Sequence, residues 1–141
     1  MTENMKKFLE RISQDEALCE YATLRYAKAQ YGDEAFRNLC FYRADMPMQE
    51  RIPGGLTPAT PIHYFSSLTD YKTIVYGRGA SLLLSLDLFL PGGIDPFLKT
   101  YVETFAFRMA AREDFENVLN SHAGTDVSAL VIDYLDTKIN E

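Results

Sequence analysis

The sequence predicts an all-α fold of about five or six helices with one long loop rich in proline and glycine. Apolar residues recur at helical spacing through most of the chain of 141 residues. Proline, glycine and capping side chains fall between the apolar runs, where helices begin and end. We find no convincing alternation of apolar and polar residues, no internal repeat and no linker, which indicates one helical domain over residues 1–141.

The first two helices are predicted on either side of Gly32, which is a natural helix terminus because glycine readily adopts a left-handed conformation. The first has the sequence DEALCEYATLRYAKAQYG, and the apolar residues close to one of its faces are Leu18, Tyr21, Ala22, Tyr26 and Ala29. Asp33 can cap the second helix, EAFRNLCFYR. We expect its inward residues to be Phe36, Leu39, Cys40 and either Phe41 or Tyr42.

A long irregular segment is predicted from about Ala44 to Lys72. Within it, PMQERIPGGLTPATPIHYF has four prolines and two glycines, which do not sustain a helix. Loops of this length are uncommon inside compact domains and often have a function. The segment is therefore a candidate for lining a binding cleft.

The chain is predicted to become helical again near Tyr76, in the sequence VYGRGASLLLSLDLFL. This helix is apolar on nearly all sides, which predicts a central position. The residues concerned are Leu82, Leu83, Leu86, Leu88, Phe89 and Leu90. The sequence PGG from Pro91 to Gly93 is expected to end it.

Three further helices are predicted towards the C-terminus. Asp95 followed by Pro96 indicates a capped helix start, with Phe97, Leu98, Tyr101, Val102 and Phe105 facing inward. The next helix, REDFENVLNSHAG, has acidic residues at its start and is closed by Gly124. Asp126 is expected to cap the last one, VSALVIDYLDTKI.

Charge and composition exclude several classes of partner. The net charge of −6 disfavours nucleic acid and anionic membranes, because binding to phosphates needs clustered lysine and arginine. No secretory signal and no apolar run long enough to span a membrane is visible, so we expect a cytoplasmic protein. The two cysteines, Cys19 and Cys40, form no CxxC motif and are expected to be buried free thiols.

Three segments follow one another in the chain: DEALCEYATLRYAKAQYGDEAF, VYGRGASLLLSL and DPFLKTYVETFAFRMAAREDFENVLNSHAGTDVSALVIDYL. The first resembles the helix of M1-type zinc aminopeptidases (gluzincins) that carries NEG or DEG. The second resembles the Y-x-K-G element of that family, and the third resembles the end of its catalytic domain. The resemblance covers about residues 14–136. It implies the C-terminal helical lobe of a thermolysin-like catalytic domain.

The resemblance implies roles for two residues. Glu16 matches the third zinc ligand of the family, and Tyr76 matches the tyrosine whose hydroxyl stabilises the oxyanion of the tetrahedral intermediate. Gly77 and Gly79 are expected to allow close backbone approach around Tyr76. Without the resemblance, Glu16 reads as a residue favoured at a helix N-terminus, and Tyr76 as an aromatic residue that anchors the helix start.

The sequence also departs from the family. It contains no HExxH motif and no GxMEN strand, and Arg78 and Tyr134 stand where lysine and often tryptophan are found. The resemblance therefore implies a fragment or truncated relative of a metallopeptidase that hydrolyses peptide bonds near a free N-terminus. Zinc belongs to the parent family, and we expect neither zinc nor activity in this chain alone.

An alternative is a non-catalytic helical module that self-associates or binds a partner through the face left by the missing half. We expect a homo-oligomer or association with the missing N-terminal half. A further possibility is that His63, His122 and Glu16 converge on a new metal site. Otherwise His63 is expected to be a loop residue and His122 a surface residue near a helix end.

Overall fold

The structure, a computed structural model, describes residues 3–51 and 54–136, with side chains from residue 15 onward. No strand occurs in this part of the chain, so the all-α prediction is confirmed. The α-helices are α1 (Glu3–Cys40), α2 (Met46–Gln49), α3 (Leu68–Tyr71), α4 (Gly79–Phe89), α5 (Asp95–Phe105), α6 (Arg112–Ala123) and α7 (Ser128–Leu135). Two π-helical segments, Phe41–Asp45 and Lys72–Arg78, and a 3₁₀ turn at Ile62–Tyr64 complete the order.

Helix α1 changes direction at Gly32, whose backbone leaves the helical conformation (φ 86°, ψ −177°). The predicted break is therefore present, although helical hydrogen bonding resumes directly after it. The predicted inward face was right for Tyr21 and wrong for Tyr26, which is 60% exposed, and for Ala22 and Ala29, which are exposed too. Among the side chains described from residue 15 onward, those that α1 buries are Ala17, Tyr21, Leu24 and Ala27. Helix α4 packs against this face, where small residues permit close contact.

The irregular segment is shorter than predicted, because the chain is helical as far as Gln49 and again from Leu68. Pro47 does not interrupt the helix, since it lies in the first turn of α2, where no intrahelical donor is lost. The loop packs on the domain through the buried Pro58, and the N–H of Ala59 donates to the carbonyl of Leu135 at 3.1 Å. It is therefore tied to the end of α7.

Helix α4 is central but open on one side. Its inward residues Leu82, Leu83 and Leu86 pack in the main core with Phe97, Leu119 and Val131, and Leu90 joins this core directly after the helix ends. Leu88 is 90% exposed and Phe89 is 55% exposed, so the predicted central position holds for one side of α4 only. The outward side of α4 is left without a covering element in the described part of the chain.

The start of α5 differs from the prediction. Asp95 does not cap the helix; its carboxylate accepts two hydrogen bonds from Arg25 of α1, both of 2.9 Å. The preceding turn is held by Asp87, whose Oδ1 accepts from the N–H of Ile94 at 3.0 Å. Of the residues expected to face inward, Val102 is 60% exposed. Arg25 therefore joins α1 to α5 through Asp95, the residue that the sequence predicted to cap α5.

The ends of α6 and the start of α7 follow the predicted signals. Gly124 ends α6 in the left-handed conformation, with φ 69°. Asp126 Oδ1 accepts from the N–H of Ser128 at 2.9 Å, where α7 begins. The cysteines are free, but Cys19 is exposed and Cys40 is half-buried, so the prediction of two buried thiols was wrong. Within the described residues, no helix combines the length and apolar character needed to cross a membrane.

Candidate functional site

Three side chains from separate elements form a glutamate–tyrosine cluster: Glu16, Tyr71 and Tyr76. Glu16 lies on α1, Tyr71 ends α3, and Tyr76 lies in the π-helical segment before α4. The hydroxyl of Tyr71 donates a hydrogen bond to Glu16 Oε2. Tyr76 lies close enough to Glu16 for the charge and hydrogen bonding of the carboxylate to perturb its phenol. Glu16 and Tyr76 thus lie together, although 60 positions separate them (76 − 16).

Two glycines fix the segment that carries Tyr76. A Cβ atom placed on Gly79 would lie 2.5 Å from the Cβ of Ala17 in α1. One placed on Gly77 would lie 2.4 Å from the Cβ of Pro47 in α2. Both distances are far below van der Waals contact, so only glycine permits these approaches. The expectation of close backbone approach around Tyr76 agrees with this geometry.

Arg78 points away from the cluster and holds the end of α2. It is 1% exposed, its Nε donates to the carbonyl of Pro47 at 3.4 Å, and a terminal nitrogen donates to the carbonyl of Glu50 at 3.1 Å. Burial lowers the pKa of its guanidinium, and the nearby Glu50 carboxylate partly offsets this effect. The arginine therefore has a structural role, and it is tied to carbonyls at the start of the long loop.

The two tyrosines of the cluster differ in exposure. Tyr71 is 5% exposed, and its ring meets the rings of Phe65 and Tyr76 edge to face, with centroids 5.1 and 6.0 Å away. Tyr76 is only half-buried and lines an open cleft of about 360 Å³. Arg43 and Lys72 also line this cleft, and Arg43 is paired with Glu20 at 2.9 Å. Tyr76 therefore faces a space that a ligand can enter, whereas Tyr71 is enclosed.

Burial and the Glu16 carboxylate raise the pKa of both phenols. For Tyr71, burial has the largest effect, followed by the hydrogen bond to Glu16 and the negative charge of that residue. For Tyr76, burial is again first, followed by the charge of Glu16 and the hydrogen bond to it. Both groups stay protonated through the physiological range. Tyr76 therefore presents a neutral, protonated phenol at the wall of the cleft.

The described residues do not by themselves fit a zinc site. Glu16 supplies one carboxylate, and no group of three potential ligands from histidine, cysteine, aspartate and glutamate is found among them. His63 stacks on Tyr64 with ring centroids 4.4 Å apart, and His122 Nε2 lies 3.0 Å from the hydroxyl of Thr100. The possibility that Glu16 and the two histidines converge on a new metal site was therefore wrong.

The sequence did not draw attention to Tyr71, because five positions separate it from Tyr76. In an α-helix this spacing leaves two side chains on different faces. The segment between them is π-helical, where hydrogen bonds run between residues five apart, and the two rings come together. Such segments are frequent at functional sites. The sequence signal that could have pointed to Tyr71 was the group of aromatic residues before Gly77 and Gly79, namely Phe65, Tyr71 and Tyr76.

Fold and site together define an all-α protein with a buried tyrosine and a cleft-facing tyrosine that share one glutamate. Comparison of the chain with family models, curated proteins and solved structures found no match. The function must therefore be argued from the cluster and its surroundings.

The pairing of Glu16 with both tyrosines has a measurable consequence at high pH. Changing Glu16→Gln removes the negative charge, so we expect the pKa of Tyr71 and of Tyr76 to fall, while burial keeps both above the ordinary value of 10.0. Titration of tyrosinate absorbance in the folded chain measures this. Glu34→Gln, at an exposed position of α1, is the matched control and should leave the titration unchanged.

The same shifts predict a loss of stability at high pH. A phenol whose pKa is raised by folding stabilises the protein fully below the unfolded pKa near 10.0, and this contribution is lost as pH rises through the folded pKa. The wild-type chain should therefore lose stability more steeply above about pH 10 than the Glu16→Gln variant does. Equal slopes in denaturant titrations at several alkaline pH values would contradict the pairing.

Proposed function

We propose that this chain is a fragment or truncated relative of an M1-like zinc aminopeptidase, contributing Glu16 and Tyr76 to a site that a segment carrying HExxH completes. The observation that carries the proposal is the proximity of Glu16 to Tyr76, which lines an open cleft. The resemblance assigns the first to metal binding and the second to oxyanion stabilisation. Alone, the chain is expected to be inactive, because it supplies no general base of the HExxH type.

The chemistry of the two side chains agrees with these roles. No ion pair involves Glu16 among the described residues, and the neutral phenol of Tyr71 donates to its carboxylate. The raised pKa of Tyr76 keeps its hydroxyl protonated, and an oriented neutral donor stabilises developing negative charge on a substrate oxygen. Glu16 is thus suited to bind a cation. Cation binding then releases the single O–H of Tyr76 from Glu16, so that it can donate to an oxyanion in the cleft.

Elemental analysis and a peptidase assay test the first part of the proposal. The purified chain should contain far less than one zinc per molecule and should not cleave aminopeptidase substrates, because one carboxylate is too few ligands for a tetrahedral site. One tightly held zinc per chain, removed only by a chelator, would show that the site is complete without another segment and would contradict the proposal.

The DNA upstream of this coding sequence tests the second part. An in-frame HExxH segment is expected, and the joined protein should bind zinc and cleave peptides. In that protein, Tyr76→Phe should lower kcat roughly 100- to 1000-fold with little change in zinc content, as expected when one oxyanion donor is removed. Tyr64→Phe, at an exposed loop tyrosine, is the control. Full activity of Tyr76→Phe would refute the assigned role.

The alternative function, a non-catalytic interaction module, is favoured by the outer face of α4. This face carries Leu84, Leu88 and Phe89, and an open hollow of about 510 Å³ beside it is also lined by Phe41, Met48 and Tyr134. Leu88 is 90% exposed. Exposed apolar patches of this kind often mark interaction surfaces. On this hypothesis the face binds a second copy of the chain or another protein.

Light scattering distinguishes the two functions. If α4 mediates self-association, the wild-type chain should have the mass of a dimer, and Leu88→Glu should give a monomer because a charge cannot be buried unpaired at the interface. Val102→Glu, at a position of α5 that is 60% exposed, should leave the mass unchanged. A monomeric wild type at high concentration that captures no partner chain excludes this module.

A further inference from the structure

Among the described residues, Glu16 is held by a hydrogen bond from a phenol and by no cation. The next acidic residue on the same side of α1, Glu20, is instead paired with Arg43 at 2.9 Å. The partner of Glu16 is Tyr71, which lies 55 positions away in sequence and donates to Oε2. A neutral donor orients a carboxylate while leaving its charge available, whereas an arginine would neutralise that charge. Glu16 is therefore an oriented carboxylate, whereas Glu20 is part of an ion pair.

The ring of Tyr71 is fixed by its surroundings. It is 5% exposed, it packs with the buried Ile74 and Val75, and its ring meets Phe65 and Tyr76 edge to face. A buried phenol needs a hydrogen-bond partner, because an unsatisfied polar group away from water is destabilising. The carboxylate is the partner that the fold provides, so the position of Tyr71 dictates where Glu16 can lie.

Tyr71 and Tyr76 therefore have different roles in the glutamate–tyrosine cluster. Tyr76 lines the open cleft and can touch a ligand there, whereas Tyr71 is not part of the cleft wall. We propose that Tyr71 is the positioning residue of the site: its enclosed hydroxyl holds the Glu16 carboxylate in the orientation in which it stands beside Tyr76. The catalytic meaning of this positioning rests on the function proposed above, but the positioning itself is a property of this chain.

The Tyr71→Phe variant removes one oxygen and keeps the ring in place. Three-bond NMR couplings of the Glu16 side chain report whether it occupies one rotamer or several. We expect a single rotamer in the wild type and averaging over rotamers in Tyr71→Phe, with an unchanged backbone spectrum. The matched variant Tyr76→Phe removes the cleft-facing phenol from the same carboxylate and should keep Glu16 in one rotamer. A merely structural role for Tyr71 would lower stability without freeing Glu16.

The inference is overturned if Glu16 keeps one rotamer in Tyr71→Phe, or if it is already averaged in the wild type. If the Tyr71→Phe variant does not fold, a measurement on the wild-type chain still tests the positioning role of Tyr71. The hydroxyl proton of Tyr71 should then appear downfield and exchange slowly, because it is enclosed and bonded to a carboxylate, and it should shift upfield in Glu16→Gln. Absence of this resonance refutes the positioning. Zinc content and the upstream DNA test the proposed function separately from these NMR measurements. The proposed function and the positioning role of Tyr71 can therefore be refuted independently.

Discussion

Replacing Phe97 by alanine is expected to lower the free energy of unfolding by about 3–5 kcal/mol. The side chain is 0% exposed and forms the meeting point of α5 and α6. Its ring lies edge-on to Phe115 with centroids 5.2 Å apart, and stacks on Tyr101 at 6.0 Å. Truncation removes the buried apolar surface and leaves a cavity that the surrounding rings fill only in part, which explains the size of the effect.

Urea unfolding followed by circular dichroism measures this change. Phe107→Ala is the matched control, because Phe107 is fully exposed at 108% and its truncation should alter stability by no more than about 0.5 kcal/mol. A loss of less than about 1 kcal/mol for Phe97→Ala would show that the ring is not part of a close-packed core. Similar losses for both variants would likewise contradict the described arrangement.

Replacing Gly79 by alanine is expected to cost about 1–3 kcal/mol through overpacking. The opposing effect is helix propensity, which favours alanine over glycine by up to about 1 kcal/mol. Overpacking should prevail, because the new Cβ would lie 2.5 Å from the Cβ of Ala17, and neither atom can move without its backbone. Helices α1 and α4 must separate, and Glu16 is the residue next to this contact.

A double-mutant cycle tests the contact directly. Ala17→Gly removes the opposing methyl group, so the combined variant should recover most of the stability that Gly79→Ala loses. The titration of Tyr76 provides a second measurement, because displacement of α1 should weaken the influence of Glu16 and lower the pKa of Tyr76 in Gly79→Ala. Gly79→Ala with wild-type stability, or a double variant no better than the single one, would contradict the close approach.

The fold class and most helix positions could be predicted from the sequence because the signals are local. Gly32 and Gly124 end their helical segments through their own backbone conformation, and Asp126 caps α7 from two residues away. The buried face of α1 could not be predicted in the same way. Apolar residues stand at both Leu24 and Tyr26, and only tertiary packing, in which Leu24 meets Ala44 and Ala80, decides that Leu24 is buried and Tyr26 exposed.

Contacts between distant residues account for the other differences. Asp95 has the sequence signal of a helix cap, but the guanidinium of Arg25 is a stronger partner for its carboxylate and draws it to α1. Of the candidate site, the proximity of Glu16 and Tyr76 followed from their expected roles in one cleft. Tyr71 was missed, because the π-helical geometry that aligns it with Tyr76 is not readable from apolar spacing.

Every residue of the tetrapeptide Tyr76–Gly79 has a neighbour from another part of the chain. The phenol meets a carboxylate of α1, the first glycine meets α2, the guanidinium reaches the carbonyls that begin the loop, and the second glycine meets α1 again. Adding or deleting one residue here would turn all that follows by roughly 100° about the helix axis. The length of this segment is therefore fixed by its contacts. Substitutions in it should lower stability to different degrees, whereas an insertion or deletion should disrupt all of these contacts at once.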